Sequence, residues 1–129
     1  MRSTDPNDLR KTGAERFVGA LIAGDRAGVI DFDFRATRLQ GLTTNFDAVN
    51  SSIDRIDSGG GTNIGAGIRA SNAEFDRASN ESRAKVAILL SDGFTFDESG
   101  ARAAARAAAD RNITIYTIGF GNPDDDLMQ

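Results

Sequence analysis

Apolar and polar positions follow two rhythms along this chain. Ala14, Phe17, Val18, Leu21 and Ile22 recur at helical spacing and form one stripe. Asp5-Pro6 stands in front of them, a favoured cap followed by a residue suited to the first helical position, so a helix is predicted from there to Ala23-Gly24-Asp25. Gly28 to Phe34 changes rhythm: Val29-Ile30, Phe32 and Phe34 are interrupted by Asp31 and Asp33, which predicts a strand. Thr37 to Leu42 is a weaker strand, expected to pair antiparallel with it across Arg35-Ala36. From Asn45, the spacing of Phe46, Val49, Ile53 and Ile56 marks a second helix. Ser58 to Gly61 breaks the chain, and a third helix is expected over Ile64 to Ala78, with Ile64, Ile68 and Phe75 on its apolar face.

Val86-Ala87-Ile88-Leu89-Leu90 is apolar at every position, as in a strand buried on both faces of a parallel sheet. Asp97 or Ser99 can cap a fourth helix ending near Arg111, and its Glu98, Arg102, Arg106 and Asp110, four apart, line a solvated face. Ile113 to Ile118 is a further strand, and Asn122-Pro123-Asp124-Asp125-Asp126-Leu127 reads as a helix start. Strands alternating with helices predict an α/β fold with a parallel sheet.

Composition narrows the chemistry. With 129 residues the chain fits one domain. It holds no Cys, which excludes disulfides, thiolate metal sites and cysteine nucleophiles, and no His, which excludes a Ser-His-Asp triad and histidine ligands. The net charge of −4 does not suit a nucleic-acid surface. No apolar run approaches the ~20 residues of a membrane span, and Met1-Arg2-Ser3-Thr4-Asp5-Pro6 is too polar for a secretory signal. The compartment is not readable from these residues.

Two loops carry the candidate chemistry. Gly59-Gly60-Gly61-Thr62-Asn63 is a glycine-rich turn with a hydroxyl and an amide directly before a helix. Leu89-Leu90-Ser91-Asp92-Gly93 is an apolar strand ending in a carboxylate. In open α/β sheets such loops meet above the carboxyl ends of the strands, where ligands bind. A hydroxyl and one carboxylate suit a hard, oxygen-preferring cation such as Mg²⁺. The glycine turn lacks the Gly-Lys-Ser/Thr ending of a phosphate loop, which argues against nucleotide binding.

Taken together, Asp5-Pro6-Asn7-Asp8-Leu9-Arg10, Gly24-Asp25-Arg26, Phe32-Asp33, Leu42-Thr43, Gly60-Gly61-Thr62-Asn63-Ile64, Leu90-Ser91-Asp92-Gly93 and Tyr116-Thr117-Ile118-Gly119-Phe120-Gly121 resemble, in order and spacing, a von Willebrand factor A domain. The resemblance spans nearly the whole chain and implies a three-layer α/β/α sandwich. Its Rossmann-like, doubly wound sheet is mostly parallel with one antiparallel edge strand. It also implies a non-enzymatic protein-interaction or cell-adhesion module with a metal-ion-dependent adhesion site. There Mg²⁺, or Mn²⁺ or Ca²⁺ in its place, bridges to an Asp or Glu carboxylate of another protein. A parent protein at the cell surface or outside the cell fits that role. By motif match, Thr62 and Asp92 are the metal ligands, Asn63 shapes the loop beside them, and Gly60, Gly61 and Gly93 let the backbone approach the site.

The family's Asp-x-Ser-x-Ser motif has no counterpart in this chain, so residues 1–129 are expected to be one partial domain without the first strand, and without the last strand and helix. Metal binding by this chain alone is then expected to be weak or absent. The missing strand belongs between those at Gly28 and Lys85, at the centre of the sheet. The chain alone is therefore expected to be marginal, partly molten or self-associating through unpaired strands. Direct pairing of the two flanking strands, or a strand from another polypeptide, would rescue it.

Plainer readings stand beside these. Thr62 taken alone suits an N-cap of the third helix. Gly59 to Gly61 can be an ordinary turn. Asp31 and Asp33 suit flanking charges on a half-exposed strand better than an acid/base pair. Asp124 to Asp126 suit a solvated helix start. A metal-dependent hydrolase using Asp31, Asp33 or Asp92, and a structural fragment without a ligand, are the competing functions.

Overall fold

In a computed structural model the chain is described at residues 8–57, 61–78, 83–91, 95 and 97–119. Eight elements follow one another among these residues: α1 (Leu9–Gly19), β1 (Ala27–Phe32), β2 (Ala36–Thr43), α2 (Phe46–Asp54), α3 (Ile64–Arg77), β3 (Lys85–Ser91), α4 (Glu98–Asp110) and β4 (Ile113–Gly119). The alternation expected from the apolar pattern is present. The Asp5-Pro6 opening and the helix start after Asn122 lie outside the described residues.

Local chemistry sets the helix starts. Asn45 and Asp97 accept hydrogen bonds from the N–H groups of Ala48 (3.2 Å) and Gly100 (2.9 Å), so α2 and α4 each begin with a satisfied cap. Along α4, Arg102 pairs with Glu98 at 3.0 Å, four residues apart on the expected solvated face. The apolar stripe of α1 is only partly realised. Val18 is buried, but the helix ends at Gly19, and Ile22 beyond it is 71% exposed.

β1 and β2 pair antiparallel, and β3 and β4 pair parallel from Lys85↔Ile113 to Ser91↔Gly119. At the start of β1 the register slips on both sides of Val29. A side chain at Gly28 would meet the backbone of Gln40 and Leu42, at 2.9 and 3.2 Å, so the strands close up here only around a glycine.

Two cores lie on opposite sides of the strand layer. Ala27 and Val29 of β1 pack with Val18 of α1 and with Val49 and Ile53 of α2. Phe32, of opposite parity on β1, joins Ile64 and Ile68 of α3 with Ala101, Ala104 and Ala108 of α4. Ala87 and Leu89 of β3 reach the same α3/α4 core. The layers are therefore α1/α2, strands, and α3/α4, the three-layer α/β/α arrangement expected.

Glu74 of α3 binds this layer together at the edge strand. It is buried, and its carboxylate accepts from the Leu42 N–H at 2.9 Å and from Arg38 at 3.0 Å. On the opposite side of α3, Gly65 lies so close to α4 that a Cβ there would meet Gly100 and Ala101 backbone atoms at 2.9 and 3.0 Å. Asn72 donates to the Ala104 carbonyl at 3.2 Å and fixes the same pair of helices.

The strands do not form one sheet. Among the described residues β1–β2 and β3–β4 are separate two-stranded sheets, so the rescue by direct pairing of the flanking strands is not what occurs. A cavity of about 700 Å³ separates them. The outward face of β3–β4 is also open: Val86, Tyr116 and Ile118 are 39%, 59% and 44% exposed. The run that reads as buried on both faces packs on the α3/α4 core through Ala87 and Leu89, while on its other face Ile88 and Leu90 are half-buried and Val86 is exposed.

Candidate functional site

The loop before α3 is held from three directions. The Asn63 N–H donates to the Asp33 carbonyl at 2.7 Å, which pins the loop to the tip of the β1–β2 hairpin. That tip is closed by Asp33, whose carboxylate accepts from the Arg35 N–H at 2.9 Å. The Asn63 side chain accepts from the Ala66 N–H at 2.9 Å. Asn63, not Thr62, is therefore the N-cap of α3, which corrects the plainer reading of Thr62. An N-cap side chain reaches the N–H two or three residues ahead, and Asn63 stands one position nearer the first helical turn.

The third tether is Thr95, a residue outside the set expected from the motifs. Its hydroxyl donates to the Thr62 carbonyl at 3.0 Å and accepts from the Ile64 N–H at 3.3 Å. Thr95 follows β3, so this one hydroxyl ties the loop after β3 to the loop before α3. The signal that could have found it is its place, three residues beyond Asp92, in the second of the two candidate loops.

Gly61 has a steric reason to be glycine. A Cβ there would fall 2.5 Å from the Phe34 ring at the hairpin tip. Its role visible in the structure is to admit that ring. Thr62 is half-buried, and among the described residues no hydrogen bond engages its hydroxyl. The Asn63 oxygen, by contrast, is used by the cap. Gly60, Asp92 and Gly93 lie outside the described residues, as does Gly59. The structure therefore locates Thr62, Asn63 and Gly61 of the expected set and leaves its carboxylate unlocated. Among the described residues no three acidic side chains group closely enough to hold a metal ion.

Asp31 and Asp33 have different surroundings, although the charge of Asp33 adds to the rise of the Asp31 carboxyl. The Asp33 carboxylate serves the hairpin turn. Asp31 sits on the α1/α2 side of β1, where burial first and then the negative charge of Asp57 push its carboxyl above the ordinary carboxylate range. The Asp57 N–H, which it accepts from, and Arg10 oppose that rise. Arg10 is itself buried, donates to the Asp57 carbonyl at 3.3 Å and lies 3.5 Å from the Asp8 carboxylate. This is a structural polar cluster joining α1, β1 and the end of α2.

No described helix is long and apolar enough to cross a membrane. Among curated proteins, the chain is 32% identical to a UPF0353 protein of Mycolicibacterium vanbaalenii, over 95% of this chain and 42% of the relative. The chain thus spans less than half the length of the curated relatives it matches. Among solved structures, BatB of Bacteroides thetaiotaomicron superposes with a TM-score of 0.78 at 28% identity, over 87% of this chain and 55% of that one. An aerotolerance-related membrane protein of Bacteroides fragilis gives 0.79 at 25% identity, over 95% and 62%. The manganese-loaded TRAP protein of Plasmodium vivax shares the fold at 0.80 with 16% identity, over 99% and 55%. The family model for the von Willebrand factor type A domain matches residues 3–129. With its alternating elements, three layers and loop order, this chain belongs to the von Willebrand factor type A domain family.

Proposed function

We propose that the chain is a non-enzymatic protein-binding module that engages a carboxylate of a partner protein through a divalent cation, Mg²⁺ in the first instance. Thr62 supplies a neutral hydroxyl ligand and Asp92 a charged one. A neutral ligand leaves much of the cation's charge uncancelled, and an open position then favours an anionic oxygen from the partner. The observation that supports this reading most is the Thr95 bridge. It ties Thr95, beyond β3, to the Thr62 loop, and among the described residues nothing hydrogen-bonds the Thr62 hydroxyl. Asn63 shapes the loop by capping α3, and Gly60 and Gly93 are proposed to let the backbone approach the ion.

Two protein ligands make a weak site, because hard cations take six or more oxygens and water supplies the rest. The test is Mn²⁺ titration followed by paramagnetic broadening of amide signals. Broadening centred on residues 62–64 and 95 is expected at millimolar metal, and is expected to vanish in Thr62→Ala and Asp92→Ala. Broadening elsewhere, or unchanged in both variants, would remove the proposal.

We extend the reading to location and propose that the parent protein works at a membrane or cell surface. The Bacteroides fragilis relative, at 25% identity, is described as a membrane protein.

A further inference from the structure

β2 lies at the margin of its sheet. One edge pairs with β1, and no described strand pairs with the other. Such an edge offers backbone donors and acceptors to an extended chain laid along it. One end is already closed, because the Leu42 N–H is taken by Glu74. The stretch open to a guest is therefore residues 36–41.

Arginines flank this edge from both layers. Arg38 and Arg77 lie on the α3 side, 3.0 and 3.5 Å from the Glu74 carboxylate, with side chains 46% and 57% exposed. Arg55, at the end of α2 in the other layer, donates to the Leu39 carbonyl of β2 at 3.3 Å and to the Ser52 hydroxyl at 2.8 Å. Arg35 stands exposed just before β2. Among the described residues, the carboxylates bonded along this edge are Glu74, buried between Arg38 and Arg77, and Asp33, which is taken up by the hairpin turn. The chain as a whole carries a net charge of −4, so this edge departs in sign from the rest of the molecule.

The charge decides which strand the edge accepts. Two copies of β2 laid edge to edge would bring like charges together, which opposes self-pairing. An acidic segment gains where a second copy loses. Side chains of an extended guest alternate between the two faces of the sheet. Acids on one face meet Arg38 and Arg77, and acids on the other meet Arg55. A guest with one acidic face would leave Arg55 or the other two unmatched, so the guest that fits best carries acids at neighbouring positions. Arg55 covers the Leu39 carbonyl in the chain alone. A carboxylate that draws the guanidinium away uncovers that acceptor for the backbone of the guest.

We propose that the open edge of β2 is a docking site for an extended acidic segment of another protein, which adds to the sheet as a strand beside β2 and places its carboxylates against Arg38, Arg55 and Arg77. The inference is independent of the metal reading.

The test titrates a blocked heptapeptide of glutamate pairs separated by valine into the isotope-labelled chain. The controls are the same peptide with glutamine for glutamate, the same peptide N-methylated at alternate residues, and a single-stranded oligonucleotide as an unrelated polyanion. The expected result is 1:1 binding of the acidic peptide at millimolar concentration, slowed amide exchange within residues 36–41, and weakening by added salt. Arg77→Gln and Arg55→Gln are each expected to weaken binding about two- to fivefold, the size of one exposed ion pair. Arg77→Gln keeps the test decisive if Arg55→Gln disturbs the end of α2, since Arg77 bonds no backbone atom of β2; thermal unfolding of both variants shows that they fold. Binding of the glutamine or the N-methylated peptide as tight as that of the acidic one would overturn the inference. So would protection outside β2, no binding, or unchanged binding in a folded Arg77→Gln. Equal binding of the oligonucleotide would make the edge a general polyanion surface and overturn it as well. Failure of metal binding at Thr62 would leave every one of these outcomes unchanged.

Discussion

Asp31 shows how one side chain's surroundings set its cost. Burial and the facing charge of Asp57 raise its folded carboxyl above the range it has in the unfolded chain. Between those two values the native state binds a proton that the unfolded state has released, so stability falls as pH rises through that interval. Above it, the ionised carboxylate is a constant liability. Asp31→Asn keeps an oxygen to accept the Asp57 N–H and removes the charge. It is expected to exceed the wild type in stability at neutral pH, to match it below the ordinary carboxylate range, and to flatten the slope between. Urea unfolding at a series of pH values measures this. A variant weaker than the wild type at neutral pH would mean that the attraction of Arg10 outweighs burial.

At the level of elements, the contact of α3 with α4 depends on small residues. Gly65 meets the backbone at Gly100 and Ala101, and Ala101, Ala104 and Ala108 are buried along the same seam. The neighbours at Gly65 are backbone atoms, which cannot swing aside. Gly65→Val must push the two helices apart and is expected to destabilise by about 1–3 kcal/mol, as overpacking does. Ala70→Val, at a half-buried position of α3, serves as the propensity control with an expected cost under about 0.7 kcal/mol. Equal losses in denaturant unfolding of the two variants would mean that the seam is looser than its geometry implies.

For the molecule as a whole, the cavity between the two sheets governs cooperativity. The α3/α4 core and the α1/α2 core lie on opposite sides of a strand layer that is interrupted between β1 and β3. Coupling between the cores then runs through side-chain packing, with α3 on β1 and β2 carrying much of it, rather than through a continuous ladder. In calorimetry the chain alone is expected to unfold over a broad range, with a calorimetric enthalpy that departs from the van't Hoff value. A sharp two-state transition in a monodisperse monomer would contradict this. Val86, Tyr116 and Ile118 are exposed, Val86 and Ile118 at the cavity itself, so light scattering is expected to rise with concentration near the midpoint.

Much of this molecule is written in local pattern. Helical spacing placed α2, α3 and α4, and the cap residues Asn45 and Asp97 fixed two starts, because periodicity and capping depend on neighbours within a few positions. The apolar run at Val86 to Leu90 placed β3, and the motif order placed the family. The candidate loops stand out by a short-range signal too, glycine, hydroxyl and carboxylate at strand ends, and of the residues expected in them the structure locates Gly61, Thr62 and Asn63. What the sequence alone left open depended on contacts between distant residues. Asn63 displaced Thr62 as the cap only through the geometry of the first turn, and Thr95 gained its role only where two loops meet. Gly61 is required by a phenylalanine 27 positions earlier, and Glu74 by the backbone of β2. The division into two sheets around an apolar slot is likewise tertiary: backbone pairing is a relation between strands, and no single strand's residues determine whether its second edge finds a partner.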